Sequence, residues 1–265
     1  MRRDTLEYAA LRVIRRFFFT PKRLHALGGY LPYYRVNQGQ LDPAAIAAAY
    51  AADLARIGVS VAGKRMLEIG AGATSGVGYA LAAMGASKVV CQEPYAPLDV
   101  GLDAKHLNAC VIRHPDIRFS VVDRVAGLDG LPDGSIDIVV SNSVLEHVAD
   151  PATLFAALAR VMAPDAVMLH RVDYRDHFFK YPFHFLLFSK FVWKCFLNPG
   201  DLPRWRFDDH LDQLARAGFD AAALDIEHDP EAFAAIAGRL HPDYQDRDTD
   251  MLSTVRATVW GQKRR

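Results

Sequence analysis

With 265 residues, 31 basic and 31 acidic side chains, the chain is long enough to bury a full hydrophobic core and carries no net formal charge. A neutral chain supplies no general field for nucleic acid or anionic lipid, so a partner of either kind would need a local patch, and a small-molecule substrate is the expected ligand class. Cys91, Cys110 and Cys195 are odd in number and far apart, which excludes a disulfide framework and the paired spacing of a structural zinc site, and implies a reducing, cytoplasmic setting without a metal.

Leu6, Ala10, Val13, Ile14, Phe17 and Phe18 recur at helical spacing over residues 4 to 19, and Pro21 stops the run. Glu7, Arg12, Arg15 and Arg16 interrupt that stretch, so no signal-peptide core forms behind Arg2 and Arg3. Asp42-Pro43 then opens a second amphipathic helix carrying Ile46, Tyr50, Leu54 and Ile57, which closes at Gly58. Both helices precede the first strand, and residues 1–60 are read as an N-terminal helical cap on a body of residues 61–265.

From Arg65 the pattern changes to short apolar runs at 65–69, 88–92, 117–122, 136–141 and 166–172, with helices at 75–85, 101–110 and 151–162 between them. Strands alternating with helices require right-handed crossovers and a mainly parallel sheet, the α/β doubly wound, Rossmann-like class. A helix at about 206–217 and strands near 219–226 and 252–261 complete seven strands.

Met66-Leu67-Glu68-Ile69-Gly70-Ala71-Gly72 is a strand running into a glycine turn, where the backbone can approach a ligand closely. Glu93 follows at the end of the next strand, placed to accept ribose hydroxyls. Glu68, two residues before the first glycine, would repel a pyrophosphate and favour a cationic ligand carrying an ammonium group. The third glycine of a dinucleotide fingerprint would fall at 75, where the chain has serine.

The string Leu67 to Gly72 resembles the first motif of class I S-adenosylmethionine-dependent methyltransferases. The stretch Leu131 to Val148, containing Pro132-Asp133-Gly134-Ser135 and Leu145-Glu146-His147, resembles their fourth-strand region. The likeness spans roughly residues 60 to 175 and implies S-adenosylmethionine as the cofactor. It implies that Gly70 and Gly72 approach the methionine part, that Glu93 holds the ribose, and that the backbone around Ser141 and Asn142 faces the amino-acid end. Asp123, read as ending the third strand, either meets the adenine amino group or caps the following turn. The chain departs from the family at Ala73-Thr74-Ser75, where a third close glycine is common, and at Ala163-Pro164-Asp165 before the fifth strand.

For an acceptor that must lose a proton, the candidate base is His147, in a string that is also common as scaffold, and Asp173 with His177 form a candidate acceptor-side pair or a plain surface or loop ion pair. Alternation places His170 and Val172 on one face of the fifth strand and Arg171 and Asp173 on the other. Residues 178–197 are rich in phenylalanine, yet their lysines, His184 and Pro182 exclude a transmembrane span. A helical wheel puts Lys180, His184, Lys190 and Lys194 on one stripe, the pattern of an aromatic lid over residues 178–205, a core or dimer helix, or a peripheral membrane contact. Arg204-Trp205-Arg206 reads either as a site for an acidic substrate group or as a guanidinium stacked on indole. The expected reaction is methyl transfer to an oxygen or nitrogen of a small molecule; the rivals are a non-catalytic methyltransferase-like scaffold and a nicotinamide-dependent oxidoreductase.

Overall fold

The computed structural model describes residues 2–18, 42–177, 180–198, 200 and 202–264. Pro21, Phe178 and Phe179, singled out in the sequence, lie outside the described residues.

Three aspartate–proline steps start helices in the same way: the carboxylate accepts free backbone N–H groups while proline supplies a preset φ. Asp42 accepts from Ala44 and Ala45, both at 3.1 Å, to open α2 (Pro43–Arg56), α1 being Arg3–Phe18. Asp150 accepts from Thr153 N, and Asp229 from Ala232 N, to start two later helices.

Between them run β1 (Arg65–Ile69), α3 (Gly76–Ala83), β2 (Lys88–Gln92), α4 (Val100–Arg113), β3 (Val122–Val125), β4 (Ile136–Asn142), α5 (Pro151–Val161), β5 (Met162–Asp173), α6 (Phe207–Arg216), β6 (Phe219–His228), α7 (Pro230–Ala237) and β7 (Thr254–Lys263). The strands lie in the order β3-β2-β1-β4-β5-β7-β6, with β1 to β5 parallel and β7 antiparallel to both neighbours. Chain order reverses between β1 and β4, so a crevice opens beyond their carboxyl ends.

Each sheet face buries its own core. Met66, Val89, Cys91, Ile138 and Leu169 pack under Tyr50 and Leu54 of α2 and Leu81 of α3. On the other face Leu67, Val139 and Met168 meet Phe155, Leu158, Phe207 and Leu214 of α5 and α6. Gly78 lets α3 lie close, because a Cβ there would fall 2.5 Å from Cys91 Sγ.

A third core belongs to the aromatic segment. Tyr181, Phe183, Phe185 and Trp193 are buried with Tyr8 of α1 and with Phe233 and Ile236 of α7. The single helix expected there does not form: the chain makes a 3₁₀ turn at His184–Leu187, a helical turn at Lys190–Val192 and a π turn at Trp193–Leu197. Asp176 N donates to Pro182 O at 2.8 Å, folding the chain back just where proline removes a donor. Arg204 and Arg206 correct a second expectation in part: the Arg204 guanidinium does lie over an indole, but it is that of Trp193 at 5.2 Å, and both arginines are buried. Arg206 is buried and donates to the carbonyls of Tyr174, Leu252 and Thr254, while Arg204 donates to those of Phe185 and Phe188. The third strand begins later than expected because Phe119 turns away to meet the Tyr79 ring edge-on, at 6.2 Å between centroids.

α1 docks by its polar side. Tyr8 and Arg12, both wholly buried, hold the two oxygens of the buried Asp176, and the Arg12 guanidinium lies over the Trp193 ring at 4.9 Å. Removing one member of a buried ion pair leaves an uncompensated charge. Asp176→Ala should therefore lower the unfolding free energy by about 3–5 kcal/mol in urea denaturation, and a change within about 1 kcal/mol would show that the pair adds nothing net.

Candidate active site

β1 is followed directly by Gly70, whose φ of 72° is left-handed, and whose missing side chain makes room for the loop after β4: a Cβ would lie 2.4 Å from Val144 Cγ2. Gly72 repeats the left-handed backbone at φ 69° with open space where a Cβ would sit. Hydrogen bonds keep the turn rigid. Gly70 N and Ala71 N both donate to Gln92 O, and Gly72 N donates to Glu93 Oε2 at 2.9 Å.

Glu93 has a second set of partners, Tyr95 N at 2.9 Å and Ala96 N at 3.0 Å on Oε1, so one carboxylate ties the loop after β1 to the loop after β2. Glu68 is buried on the α2 side, where Cys91 Sγ approaches its Oε2 at 3.6 Å. Burial, and then the Glu68 charge, push the neighbouring Tyr50 hydroxyl well above its usual range, and that hydroxyl has no hydrogen-bond partner among the described residues.

Asp103 of α4 occupies the start of α3, accepting from Ser75 N at 2.6 Å and from Tyr79 OH at 2.7 Å. A dinucleotide enzyme uses that helix start for pyrophosphate, so a fixed carboxylate there excludes such an anion by charge. The turn is thus flanked by Glu68, Glu93 and Asp103, and this donor set fits a cationic ligand.

Asp123 corrects an expectation about position. It is the second residue of β3, two before the strand ends at Val125, and it forms an ion pair with Lys88 at the amino end of β2 at 3.1 Å. Val125 O accepts from Glu93 N at 2.9 Å, so the backbone beside Glu93 is that of Val125.

At the end of β4 the side chain of Ser141 turns into the α5 layer and meets His170 Nδ1 at 2.7 Å, both wholly buried. Burial lowers the His170 pKa to about 4, so the ring is neutral. Asn142 and Ser143 instead line a cleft of about 440 Å³ with Arg171, Asp173, Asp225, Glu227 and Arg256. Ser143 has φ 54°, a left-handed backbone for a residue with a side chain, and its N–H donates to Arg171 O at 2.8 Å. Arg171 reaches across to Asp53 of α2 at 2.8 Å, anchoring that helix to the cleft wall.

His147 and His177 meet at the same edge, with their Nε2 atoms 3.1 Å apart and ring centroids 4.8 Å apart. A hydrogen bond between two imidazole nitrogens requires one donor and one acceptor, so the contact is a shared-proton pair. Asp173 pairs with Arg175 rather than with His177, receiving Nε at 2.9 Å and Nη2 at 2.5 Å. Burial pushes the Asp173 carboxyl up, but these bonds and the nearby His177 charge bring it below the usual carboxylate range.

Sequence reasoning missed Asp53, Asp103, Tyr50 and Ser143. Asp103 alone carried a visible signal, an acid in the first turn of its helix; the others act through long-range contacts. It also left Glu146 without a role. Glu146 is buried, its Oε1 accepts a long 3.4 Å bond from Asp173 N, its Oε2 has no hydrogen-bond partner among the described residues, and burial pushes its pKa up to about 8.

The folded form holds the Glu146 proton up to about pH 8, whereas the unfolded chain releases it near 4.5, so this group's contribution to stability is lost as pH rises through 8. Buried His170 and His210, lowered to about 4 and about 3, act oppositely and only below their unfolded value of 6.5. Between pH 6.5 and 8 the wild type should lose about 2 kcal/mol in urea unfolding through Glu146, and Glu146→Gln should remove that slope. Equal slopes in the two proteins would place the proton elsewhere.

The methyltransferase domain family model matches residues 44–224, from α2 to β6. The ubiquinone biosynthesis O-methyltransferase of Hahella chejuensis is 30% identical over 165 residues, covering 59% of this chain; the chain spans 66% of that relative's length. Among solved structures, the [4+2]-cyclase SpnF matches with a TM-score of 0.52 at 16% identity, covering 98% of this chain and 96% of SpnF. The Burkholderia thailandensis 1,6-didemethyltoxoflavin-N1-methyltransferase matches at 0.50 and 16%, covering 98% and 91%. At such identities these two show the fold alone. With a family model covering most of its length and a sheet of the matching order, the chain belongs to the methyltransferase domain family, and its fold is that of the class I S-adenosylmethionine-dependent methyltransferases.

Proposed function

We propose that the protein transfers a methyl group from S-adenosylmethionine to an oxygen of a small-molecule acceptor, with the His147–His177 pair as the proton acceptor. The observation that carries this reading is the 3.1 Å contact between the two Nε2 atoms at the carboxyl edge of the sheet. When bound, the cofactor supplies an electrophilic methyl group on a positively charged sulfur. Gly70 and Gly72 allow the close approach, Glu93 is the proposed ribose-binding carboxylate, Glu68 contributes negative potential, and the backbone at Ser141 and Asn142 faces the amino-acid end. Acceptor alignment in the cleft lined by Asn142, Arg171 and Asp173 does much of the work of an in-line displacement.

A hydroxyl is a weak nucleophile until its proton leaves, and the imidazole nitrogen that lacks a proton can take it. The second imidazole spreads the resulting charge, and Asp173 stabilises it from beside His177. Asp173 in this scheme is a positioning residue. Asp123 keeps no cofactor role in the proposal, because its side chain is paired with Lys88. The printed name of the Hahella relative, an O-methyltransferase, favours oxygen over nitrogen as the acceptor atom. Residues 1–60 as a cap, residues 61–265 as the catalytic body, the 178–205 segment as a lid rooted at His177, and a cytoplasmic site of action belong to the same proposal. No helix among the described residues is long and apolar enough to cross a membrane.

Calorimetric titration tests the cofactor half. S-adenosylhomocysteine should bind and NADH should not, and Glu93→Ala should weaken binding by about 1–3 kcal/mol through the lost charged acceptor. Binding of NADH alone would return the oxidoreductase reading. Across a panel of phenols and catechols, formation of S-adenosylhomocysteine tests the other half: His147→Ala and His177→Ala should each slow turnover by about 10²–10⁴-fold with little change in cofactor affinity. Normal rates in both would remove the pair from the chemistry, and cofactor binding without turnover of any acceptor would favour a scaffold.

A further inference from the structure

α1 is amphipathic with its sides exchanged. Its polar positions Thr5, Tyr8 and Arg12 are buried against the protein, while Leu6, Ala10, Ile14 and Phe17, spaced by four, four and three residues along one stripe, face outward. Leu6 is 52% exposed, Ile14 44% and Phe17 57%. The inward side is fixed by Tyr8 and Arg12 on Asp176, by Arg16 on Asn198 O and by Asp4 on Arg239, so the helix cannot roll over to bury its apolar stripe.

The turn of residues 190–197 lies alongside the same helix, since Arg12 covers the Trp193 ring and Arg16 reaches Asn198. That turn also presents aromatics to solvent. Phe191 is 69% exposed and Phe196 47%, with their rings 6.2 Å apart. Exposed cations accompany the patch, Arg2 and Arg3 at the start of α1 and Lys190 and Lys194 on the turn. The acids of α1 are engaged elsewhere, Glu7 with Lys180 and Asp4 with Arg239 and His184.

We propose that the outward face of α1, together with Phe191 and Phe196, docks the protein on a membrane surface rich in anionic phospholipid. Phenylalanine and leucine enter the boundary between headgroups and acyl chains, while arginine and lysine at the rim meet lipid phosphates. Charge decides between this occupant and a second copy of the chain. A two-fold contact places one patch on the same patch, bringing Arg2, Arg3, Lys190 and Lys194 against their own like charges, whereas an anionic surface complements all of them. An exposed apolar stripe of this extent marks an interaction site in a soluble domain. The proposal is independent of methyl transfer, and its failure would leave the proposed function untouched.

Co-sedimentation of the full chain with phosphatidylcholine vesicles, with and without phosphatidylglycerol, tests it. The protein should bind the vesicles containing phosphatidylglycerol, and added salt should weaken binding. The double variant Phe17→Ser/Phe191→Ser, whose replaced rings are exposed and outside the core, should bind at least about tenfold less tightly with an unchanged melting temperature. Arg3→Glu/Lys190→Glu should lose the preference for phosphatidylglycerol while keeping the rings. Absence of binding to either vesicle, or wild-type affinity in both variants, overturns the proposal. So does a concentration-dependent dimer in sedimentation velocity that Phe17→Ser/Phe191→Ser breaks, since the patch would then serve a second copy.

Discussion

The site depends on how closely two loops can approach, the one that follows β1 and the one that follows β4. Gly70 decides that distance. A Cβ at this position would penetrate Val144, and the backbone there is already left-handed. The closeness is maintained from outside the contact by Glu93, which holds Gly72 N while also gathering Tyr95 N and Ala96 N. Three consecutive loop ends of a parallel sheet are thereby locked at its carboxyl edge, where a crevice between β1 and β4 is a topological necessity. Val144 stands one step after the left-handed Ser143 and one before Leu145-Glu146-His147, so the packing that admits a cofactor also sets where His147 begins its turn.

Electrostatics sharpen what geometry leaves general. A glycine turn between a strand and a helix serves dinucleotides as readily as adenosyl compounds, and SpnF, which carries the same fold, is named a cyclase. Fold therefore cannot settle the reaction. The carboxylates can narrow it: Asp103 closes the helix start to pyrophosphate, and Glu93 stands on the other side of the turn. Cationic groups near the turn are committed to backbone or to acids, as Arg124 donates to the carbonyls of Gly72 and Ala96 and Arg171 to Asp53.

The sequence made the sheet and its cofactor turn legible because both rest on local rules. Short apolar runs, aspartate–proline starts and glycines at a strand end are set by neighbours within a few residues, and they located β1, β2, β4, α2 and α5 to within a residue or two. Reading failed where long-range partners decide. The 178–197 segment has the periodicity of a helix, yet Tyr181, Phe183, Phe185 and Trp193 pack into a third core, and Pro182 with the Asp176 hydrogen bond turned the chain instead. Arg206 looked like a surface cation because nothing in its neighbourhood shows that three backbone carbonyls from two other segments would enclose it. The helices after β6 were missed, although Asp229-Pro230 repeats the very signature that revealed α2.

The run from His170 to His177 shows how one strand sorts similar side chains into different chemistry. Alternation sends His170 into the α5 layer, where burial keeps it neutral beside Ser141, and sends Arg171 and Asp173 to the opposite face, where they line the cleft. Past the strand end alternation no longer applies, and the outcome is set by Asp176. Its buried carboxylate is claimed by Tyr8 and Arg12, which fixes the backbone one residue before His177 and brings that ring to His147. α1 is thus coupled to the candidate base through a single buried acid. A surface that engages the outer side of α1 acts on an element whose inner side positions the histidine pair, which gives the N-terminal helix a physical route to the catalytic edge of the sheet.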